Sequence, residues 1–303
     1  MPHALPAVSL VAVPGRRRQT VALARELERR GFPAVFSPSI FGTLSFADAL
    51  AWNTERIAFG PMIAPIYGRT VLDFAQSAAF LHEVSGGRFR LGLGVAHAPS
   101  HSRMGVTAGK PLADMRDFVA RLRAQEGLGP LPPIVLAALR RKMVALAGEI
   151  AEGVVFANTA RAFMPHSLAA LPPARRDDPA FFIGAMIPTC LTDDLAAARA
   201  VHRRSLTGYG LLPNYRNYWK EAGFEAEMAA VERALAEGRR ADVPACLSDR
   251  LLDAVTLSGP PARVAEGAAA WREAGVNTPI LVPSSARGNQ IAAIEELMAA
   301  FGS

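Results

Sequence analysis

The sequence predicts an α/β protein, and within that class a (β/α)8 barrel. Two observations carry the prediction. Short apolar runs alternate with stretches of helical spacing, and the connections between them leave no room for a second domain. Eight such strand–helix pairs fit into 303 residues, which is the size range of a TIM barrel. An open doubly wound sheet is the alternative, and the strand count favours the barrel.

The pattern is clearest from Glu55 to His97. Arg56 to Ile63 is an apolar run that ends near a Gly-Pro pair. Thr70 to Val84 has helical spacing, with Val71, Phe74, Ala75, Ala78, Ala79 and Leu81 on one face. Ser85, Gly86 and Gly87 stop that helix, and Arg88 to Val95 follows as a strand. Strand, helix and strand with short connections form a βαβ unit, so the two strands are expected to be parallel neighbours. Parallel strands present ligand sites at their carboxyl ends, here Met62 to Tyr67 and Val95 to Ser100.

The remaining elements extend the unit in both directions. Val8 to Val13 reads as the first strand, and Thr20 to Arg30 as an amphipathic helix stopped by Gly31. Ala34 to Ser37 is the second strand, and Phe46 to Trp52 a short helix. The βαβ unit supplies strands three and four. Pro111 to Gln125 is a helix with Met115, Phe118, Val119 and Leu122 inward. Pro132-Pro133 precedes strand five, Ile134 to Leu139, and Lys142 to Ala151 is its helix. Gly153 to Ala157 is strand six, and Phe181 to Ile187 is strand seven with a helix over Thr192 to Ser205. Pro279 to Val282 is strand eight, closed by a helix over Gln290 to Phe301.

One stretch breaks the rhythm. Between Leu206 and Gly259 no strand is obvious. Leu211 to Phe224 is aromatic and polar, and Glu225 to Glu237 and Ser248 to Thr256 read as helices. The expectation is one domain over 1–303, with 206–259 as a helical insertion after strand seven, packed over the barrel mouth. The competing reading gives its aromatics to helix packing or a dimer contact.

Composition narrows the function classes. Half the residues are apolar and the net charge is +6. That is a mild bias, not the footprint of a nucleic-acid partner. Arg16, Arg17 and Arg18 read as the exposed start of the first helix. The two cysteines, Cys190 and Cys246, are far apart without metal-ligand neighbours, as expected of a reduced cytoplasmic protein. No apolar run approaches the roughly 20 residues of a membrane span, and no secretory leader is seen. There is no HExxH, no Ser-His-Asp order and no clustered metal ligands, so no metal and no membrane is expected.

Position selects the candidate residues. His97 directly follows Leu91-Gly92-Leu93-Gly94-Val95-Ala96 and so stands at the carboxyl end of strand four. Proton-transfer residues of barrels belong there, and an imidazole suits the task with its ordinary pKa of about 6.5. The competing reading is a loop histidine bonded to backbone, and His101 lies further along that loop. Gly92 and Gly94 make only half a nucleotide fingerprint. They more readily let a cofactor or a neighbouring strand approach the backbone. Arg140, Arg141 and Lys142 gather at a helix start, where free N–H groups attract anions. Asn158 and Thr189 end strands six and seven at the same end of the barrel. Phe36, Ile63 and Met186 suggest a mostly apolar pocket.

Three motifs add a resemblance: Gly60-Pro61-Met62-Ile63-Ala64-Pro65-Ile66-Tyr67-Gly68-Arg69, a helix ending in Ser85-Gly86-Gly87-Arg88-Phe89, and the Leu91 to Gly94 run with a polar residue after it. The chain resembles the bacterial luciferase-like family of flavin- and deazaflavin-dependent oxidoreductases from Val8 to Phe301. It is similar within it to actinobacterial members assigned to the deazaflavin coenzyme F420. The resemblance implies a TIM barrel, a homodimer, and hydride transfer between coenzyme F420 and an unidentified small organic substrate. An FMN-dependent monooxygenase, or a non-catalytic cofactor-binding protein on the same fold, are the alternatives.

The resemblance also implies roles. Met62, Ile63 and Ala64 would form a strand-end bulge behind the cofactor ring, with a non-proline cis peptide at Met62–Ile63. His97 would replace a family glutamate as the catalytic residue, and Ser100 a nearby asparagine. Ala137, Ala138, Leu139 and Arg140 would line the loop that holds the cofactor phosphate, although Leu139 and Arg140 stand where glycines are common. Strand two ends in Phe36-Ser37-Pro38-Ser39, where several members carry an Asp-His pair. Ser39 could then donate a hydrogen bond to the ring, and His97 would be left to move the proton alone.

Overall fold

A computed structural model describes residues 4–39 and 42–301. The ends of the expected 1–303 domain lie outside the described residues. The described residues form ten strands: β1 (Ala7–Ser9), β2 (Ala34–Ser37), β3 (Ala58–Pro61), β4 (Ala64–Pro65), β5 (Leu91–Gly94), β6 (Ile134–Ala137), β7 (Gly153–Ala157), β8 (Phe182–Leu191), β9 (Leu257–Gly259) and β10 (Thr278–Ser284). Every pairing is parallel, in the order β3-β2-β1-β10-β8-β7-β6-β5-β4. The sheet closes because β3 and β4 are two pieces of one barrel strand. Phe59 of β3 bridges to Phe89, just before β5, while Ala64 of β4 pairs with Leu93. The fold is a TIM barrel.

Period-two alternation sorts the strand side chains into two layers. Val35, Phe59, Leu136, Val154, Phe156, Ile183 and Leu281 pack outward against the helices. Ala34, Phe36, Met62, Val135, Val155, Phe182 and Ile280 fill the barrel interior. Gly184 makes that filling possible, since a Cβ there would sit 2.5 Å from the Phe182 ring. Phe182 meets Phe36 edge-on at 5.7 Å. With its interior plugged by these side chains, the barrel offers space for a ligand beyond its strand ends.

The third strand departs from the expected continuous run Arg56 to Ile63. It breaks at Met62–Ile63, whose peptide bond is cis. Two glycines admit the break. A Cβ at Gly60 would lie 1.9 Å from the Arg90 carbonyl oxygen, and one at Gly92 2.0 Å from that of Pro61. Gly92 therefore serves the close approach of a neighbouring strand.

The motif Ser85 to Phe89 works at the opposite end of the barrel. Gly86 and Gly87 take φ values of +62° and +83°, which L side chains rarely adopt. The Ser85 hydroxyl accepts from Phe89 N–H at 3.2 Å. The Arg88 guanidinium donates to the carbonyls of Ala51, Thr54, Ile57 and Ser85 and to the Thr54 hydroxyl. It thus pins the end of helix Thr43–Asn53 to the bottom of β3 and β5.

Between β8 and β9 the chain forms helices Leu195–Gly210, Pro213–Glu221, Glu225–Ala236, Val243–Cys246 and Asp249–Val255. They carry an apolar core of their own around Trp219, Tyr218, Met228 and Leu251. The aromatic stretch Leu211 to Phe224 is mostly helix, because Tyr215, Tyr218 and Trp219 fall on one buried face. The expectation of no strand before Gly259 is corrected: β9 pairs with the far end of β8, which runs four residues beyond Ile187.

Candidate active site at the carboxyl ends of the strands

A cavity of about 1390 Å³ opens beyond the strand ends. Pockets for single drug-sized ligands run to roughly 300–1000 Å³, so this larger space has room for two ligands or one long one. Its walls include Ser39, Met62, Ile63, His97, Ser100, Ala137, Ala138, Leu139 and Arg140. Nine of the ten candidate residues thus meet in one space. The tenth, Ala64, does not. Strand alternation turns it outward into the helix layer while Ile63 faces inward, and it is buried there.

Two further expectations fail for similar reasons. Phe36 lies a layer below the cavity, inside the plug. Thr189 is buried within the extended β8, where it pairs with Leu257 and its hydroxyl donates to the Ile187 carbonyl at 2.9 Å. Asn158, Ile63 and Met186 do line the space.

His97 is positioned by the turn that ends β5. Ala96 takes a left-handed backbone conformation at φ 57°, and His97 then becomes the N-cap of a short helix, Ala98–Met104. The expected loop is therefore a helix. The His97 ring is half-buried and meets the Tyr215 ring edge-on, with centroids 5.6 Å apart. Burial lowers its pKa below the usual imidazole value, and the charge of His101 lowers it further. At neutral pH His97 is the uncharged imidazole, with one nitrogen free to accept a proton.

His101 is the histidine bonded to backbone, its Nε2 lying 2.6 Å from the Val95 carbonyl oxygen. A carbonyl only accepts, so Nε2 carries the proton. Its ring packs edge-on against Tyr67 at 5.3 Å. The Tyr67 hydroxyl donates to Asp114 at 2.5 Å, and the Gly109 N–H donates to the same carboxylate oxygen at 2.9 Å. Burial and the Asp114 carboxylate push the Tyr67 hydroxyl up to about 12, so it stays protonated.

The cationic end lies at the close of β6. Ala137 and Ala138 give way to Leu139 and then to Arg140, which caps helix Arg141–Ile150 without a side-chain bond to its free N–H groups. Arg140 does not stand alone. Its Nε and Nη2 both donate to Glu221 Oε1, at 3.0 and 2.5 Å. Arg141 lies 3.4 Å from His166, whose ring stacks on Phe163 at 4.5 Å. Lys142 is exposed in the first turn.

Sequence reasoning expected a helical stretch over the barrel mouth but singled out none of the residues of the wall facing His97. Tyr215, Tyr209 and Leu206 close that side, with the two tyrosine rings edge-on at 4.9 Å. Three contacts fasten their helices to the barrel. Trp219 Nε1 donates to the Asn158 carbonyl at 3.0 Å, Ala160 N–H donates to the Tyr218 hydroxyl at 3.3 Å, and Arg140 holds Glu221. Asn158 itself takes a left-handed conformation at φ 54°. The available signal was the aromatic run from Tyr215 to Trp219 at helical spacing, preceded by a proline suited to a helix start.

The family model of the luciferase-like monooxygenases matches residues 5–278. The chain belongs to that family. A Mycobacterium tuberculosis protein whose name provisionally assigns it as a coenzyme F420-dependent oxidoreductase is 29% identical, over 90% of this chain and 92% of its own. Two solved structures share the fold. One is the coenzyme F420-dependent tetrahydromethanopterin reductase of Methanopyrus kandleri, with TM-score 0.73, 16% identity, and coverage of 98% of this chain and 97% of that one. The other is an F420-dependent secondary alcohol dehydrogenase bound to an F420–acetone adduct, with TM-score 0.73, 14% identity, and coverage of 99% and 100%. Among the described residues there is no group of potential metal ligands, and no helix is long and apolar enough to cross a membrane.

Proposed function

We propose that this luciferase-like protein is an oxidoreductase that moves a hydride between the deazaflavin coenzyme F420 and a small organic substrate, with His97 handling the accompanying proton. The observation that carries the reading is the layout of the cavity. A bed of small apolar residues joins a cationic helix start to an uncharged imidazole. The names of the mycobacterial relative and of the two F420-dependent structures support the choice of cofactor.

The residues present fit that cofactor. Gly94 and Ala137 adjoin so closely that a Cβ on Gly94 would lie 3.2 Å from that of Ala137 and 2.6 Å from Ile63. Such a floor is low enough for a flat ring. Met62, Ile63, Ser39 and Ser100 are the proposed ring contacts, and Ala137, Ala138, Leu139 and Arg140 lead to the anionic tail. Helix N–H groups, Arg141 and Lys142 offer positive potential there, since Glu221 already offsets part of the charge of Arg140. When bound, the deazaflavin supplies or accepts the hydride. The chain does the rest: it holds the two partners in register, excludes water, and takes or returns the substrate proton at His97. A cytoplasmic setting and a homodimer complete the reading. The unpaired Cys190 and Cys246 suit the first, and the exposed Trp52, Leu72 and Phe80 on two packed helices suit the second.

Equilibrium binding of the purified protein to coenzyme F420 and to FMN tests the proposal. F420 binding that Arg141→Ala weakens supports it. Tight FMN binding without F420 binding replaces it with an FMN-dependent monooxygenase, F420 binding without turnover of any acceptor across a broad panel leaves the non-catalytic cofactor-binding alternative, and binding of neither overturns all three.

A further inference from the structure

Charge is distributed very unevenly around the cavity. Its Lys, Arg, Asp and Glu side chains are Arg140, Arg141, Lys142 and Glu221, and all four belong to the cationic end. Glu221 and Arg140 pair with each other. The opposite corner, between His97, Tyr209, Tyr215 and Leu206, holds no such charge among the described residues. Tyr215 and Glu221 lie six residues apart on helix Pro213–Glu221, about 9 Å along its axis. Tyr215 touches His97 while Glu221 touches Arg140, so that helix spans the two ends like a ruler.

We propose that this corner binds the substrate, and that the substrate is an uncharged, ring-bearing molecule with a single oxygen function, a hydroxyl or carbonyl, directed at His97. The inference rests on the function proposed above and adds the substrate class to it. Three features argue for it. Removing a charge from water without a partner costs several kcal/mol, and the cavity-lining charge on the helix that touches His97, Glu221, stands about 9 Å along its axis from Tyr215 and is already paired with Arg140. The tyrosine rings of 209 and 215 meet edge-on, and such walls favour flat apolar faces. A neutral imidazole offers one donor and one acceptor, which matches a hydroxyl or carbonyl better than a carboxylate or ammonium.

The test uses three probes of one shape: 2-naphthalenemethanol, 2-naphthoate and 2-naphthylmethylammonium, titrated calorimetrically into the full-length protein at pH 7, with and without coenzyme F420. The neutral alcohol should bind at least about tenfold tighter than either ion, in line with an uncompensated buried charge. Tyr209→Ala should weaken the alcohol several-fold. Asn214→Arg, a change at a half-buried cavity residue beside Tyr215, should shift the preference toward naphthoate. Equal or tighter binding of either ion, no binding of any probe at millimolar concentration, or indifference of alcohol binding to both variants would overturn the inference. F420 binding combined with any of those results leaves the proposed function standing without this substrate class. Selective alcohol binding with no cofactor binding does the reverse.

Discussion

Replacing His97 by alanine separates proton transfer from binding. The structure limits what else the substitution can do. The side chain is half-buried, makes no capping hydrogen bond to its helix, and meets Tyr215 edge-on. Such a contact is worth about 0.5–1.5 kcal/mol beyond area burial, so folding should survive with a small loss. Turnover should fall by about 10²–10⁴-fold, the usual range for a positioned acid–base group, while the dissociation constant of the cofactor changes little. His97→Gln should be nearly as poor, because an amide hydrogen-bonds but does not shuttle a proton. His101→Ala should do much less, since His101 spends its Nε2 proton on the Val95 carbonyl. The pH profile adds a sign. The folded pKa of His97 lies below the ordinary value, so substrate oxidation, which needs the base form, should begin to fall at a lower pH than an ordinary imidazole would give. Substrate reduction, which needs the acid form, should rise as pH falls through that same value. Steady-state rates in both directions, with a secondary or aromatic alcohol and its carbonyl partner, provide the measurement. Near-normal turnover of His97→Ala across neutral pH would refute the reasoning and move the proton source to water.

Three further outcomes follow from the packing. His202 is fully buried in helix Leu195–Gly210, neither ring nitrogen has a well-formed hydrogen bond, and burial outweighs the nearby Leu257 backbone to bring its pKa down to about 4. The unfolded chain therefore takes up the proton first, so this residue should cost about 2 kcal/mol of stability between pH 7 and pH 5, a slope in urea midpoints that His202→Leu should flatten. Gly92→Ala should lose at least about 2 kcal/mol, because its Cβ meets backbone that no rotamer change can clear, whereas Gly208→Ala, in a helix and with open space, should be neutral or stabilising in the same urea titration. If Trp52 and Phe80 lie in the expected dimer contact, the double change to glutamate should give monomers in sedimentation velocity, and an unchanged sedimentation coefficient would place the contact elsewhere.

The barrel was legible because its elements obey their own periods. Helix Val71–Val84 and strand Gly153–Ala157 appear within a residue of where the pattern put them, since the helix buries one clean face and the strand is a short apolar run buried on both. Where packing decides instead of period, the sequence was silent. Strand length is one case: β8 continues past Ile187 because β9 gives it a partner that only the fold brings near. Side-chain direction at strand ends is another. Ala64, Phe36 and Thr189 all stand near the right end of a strand, yet alternation and the extra pairing send them away from the cavity.

The division also explains why family was easier to read than chemistry. The most specific motif, Ser85 to Phe89, ties the barrel at its amino-terminal end through five Arg88 hydrogen bonds and lines no part of the cavity. Its demands are the same whatever the barrel catalyses, so it reports the fold. Gly60 and Gly92 serve the closure of β3 on β5 in the same way. The residues of the proposed substrate corner, Tyr209, Tyr215 and Leu206, come instead from helices built after β8, with their own core and only a few bonds to the barrel. Such a unit can change its cavity face without disturbing the strands beneath it. Specificity in this protein is therefore expected to follow substitutions in that helical stretch, and cofactor choice those at the ends of β5 and β6.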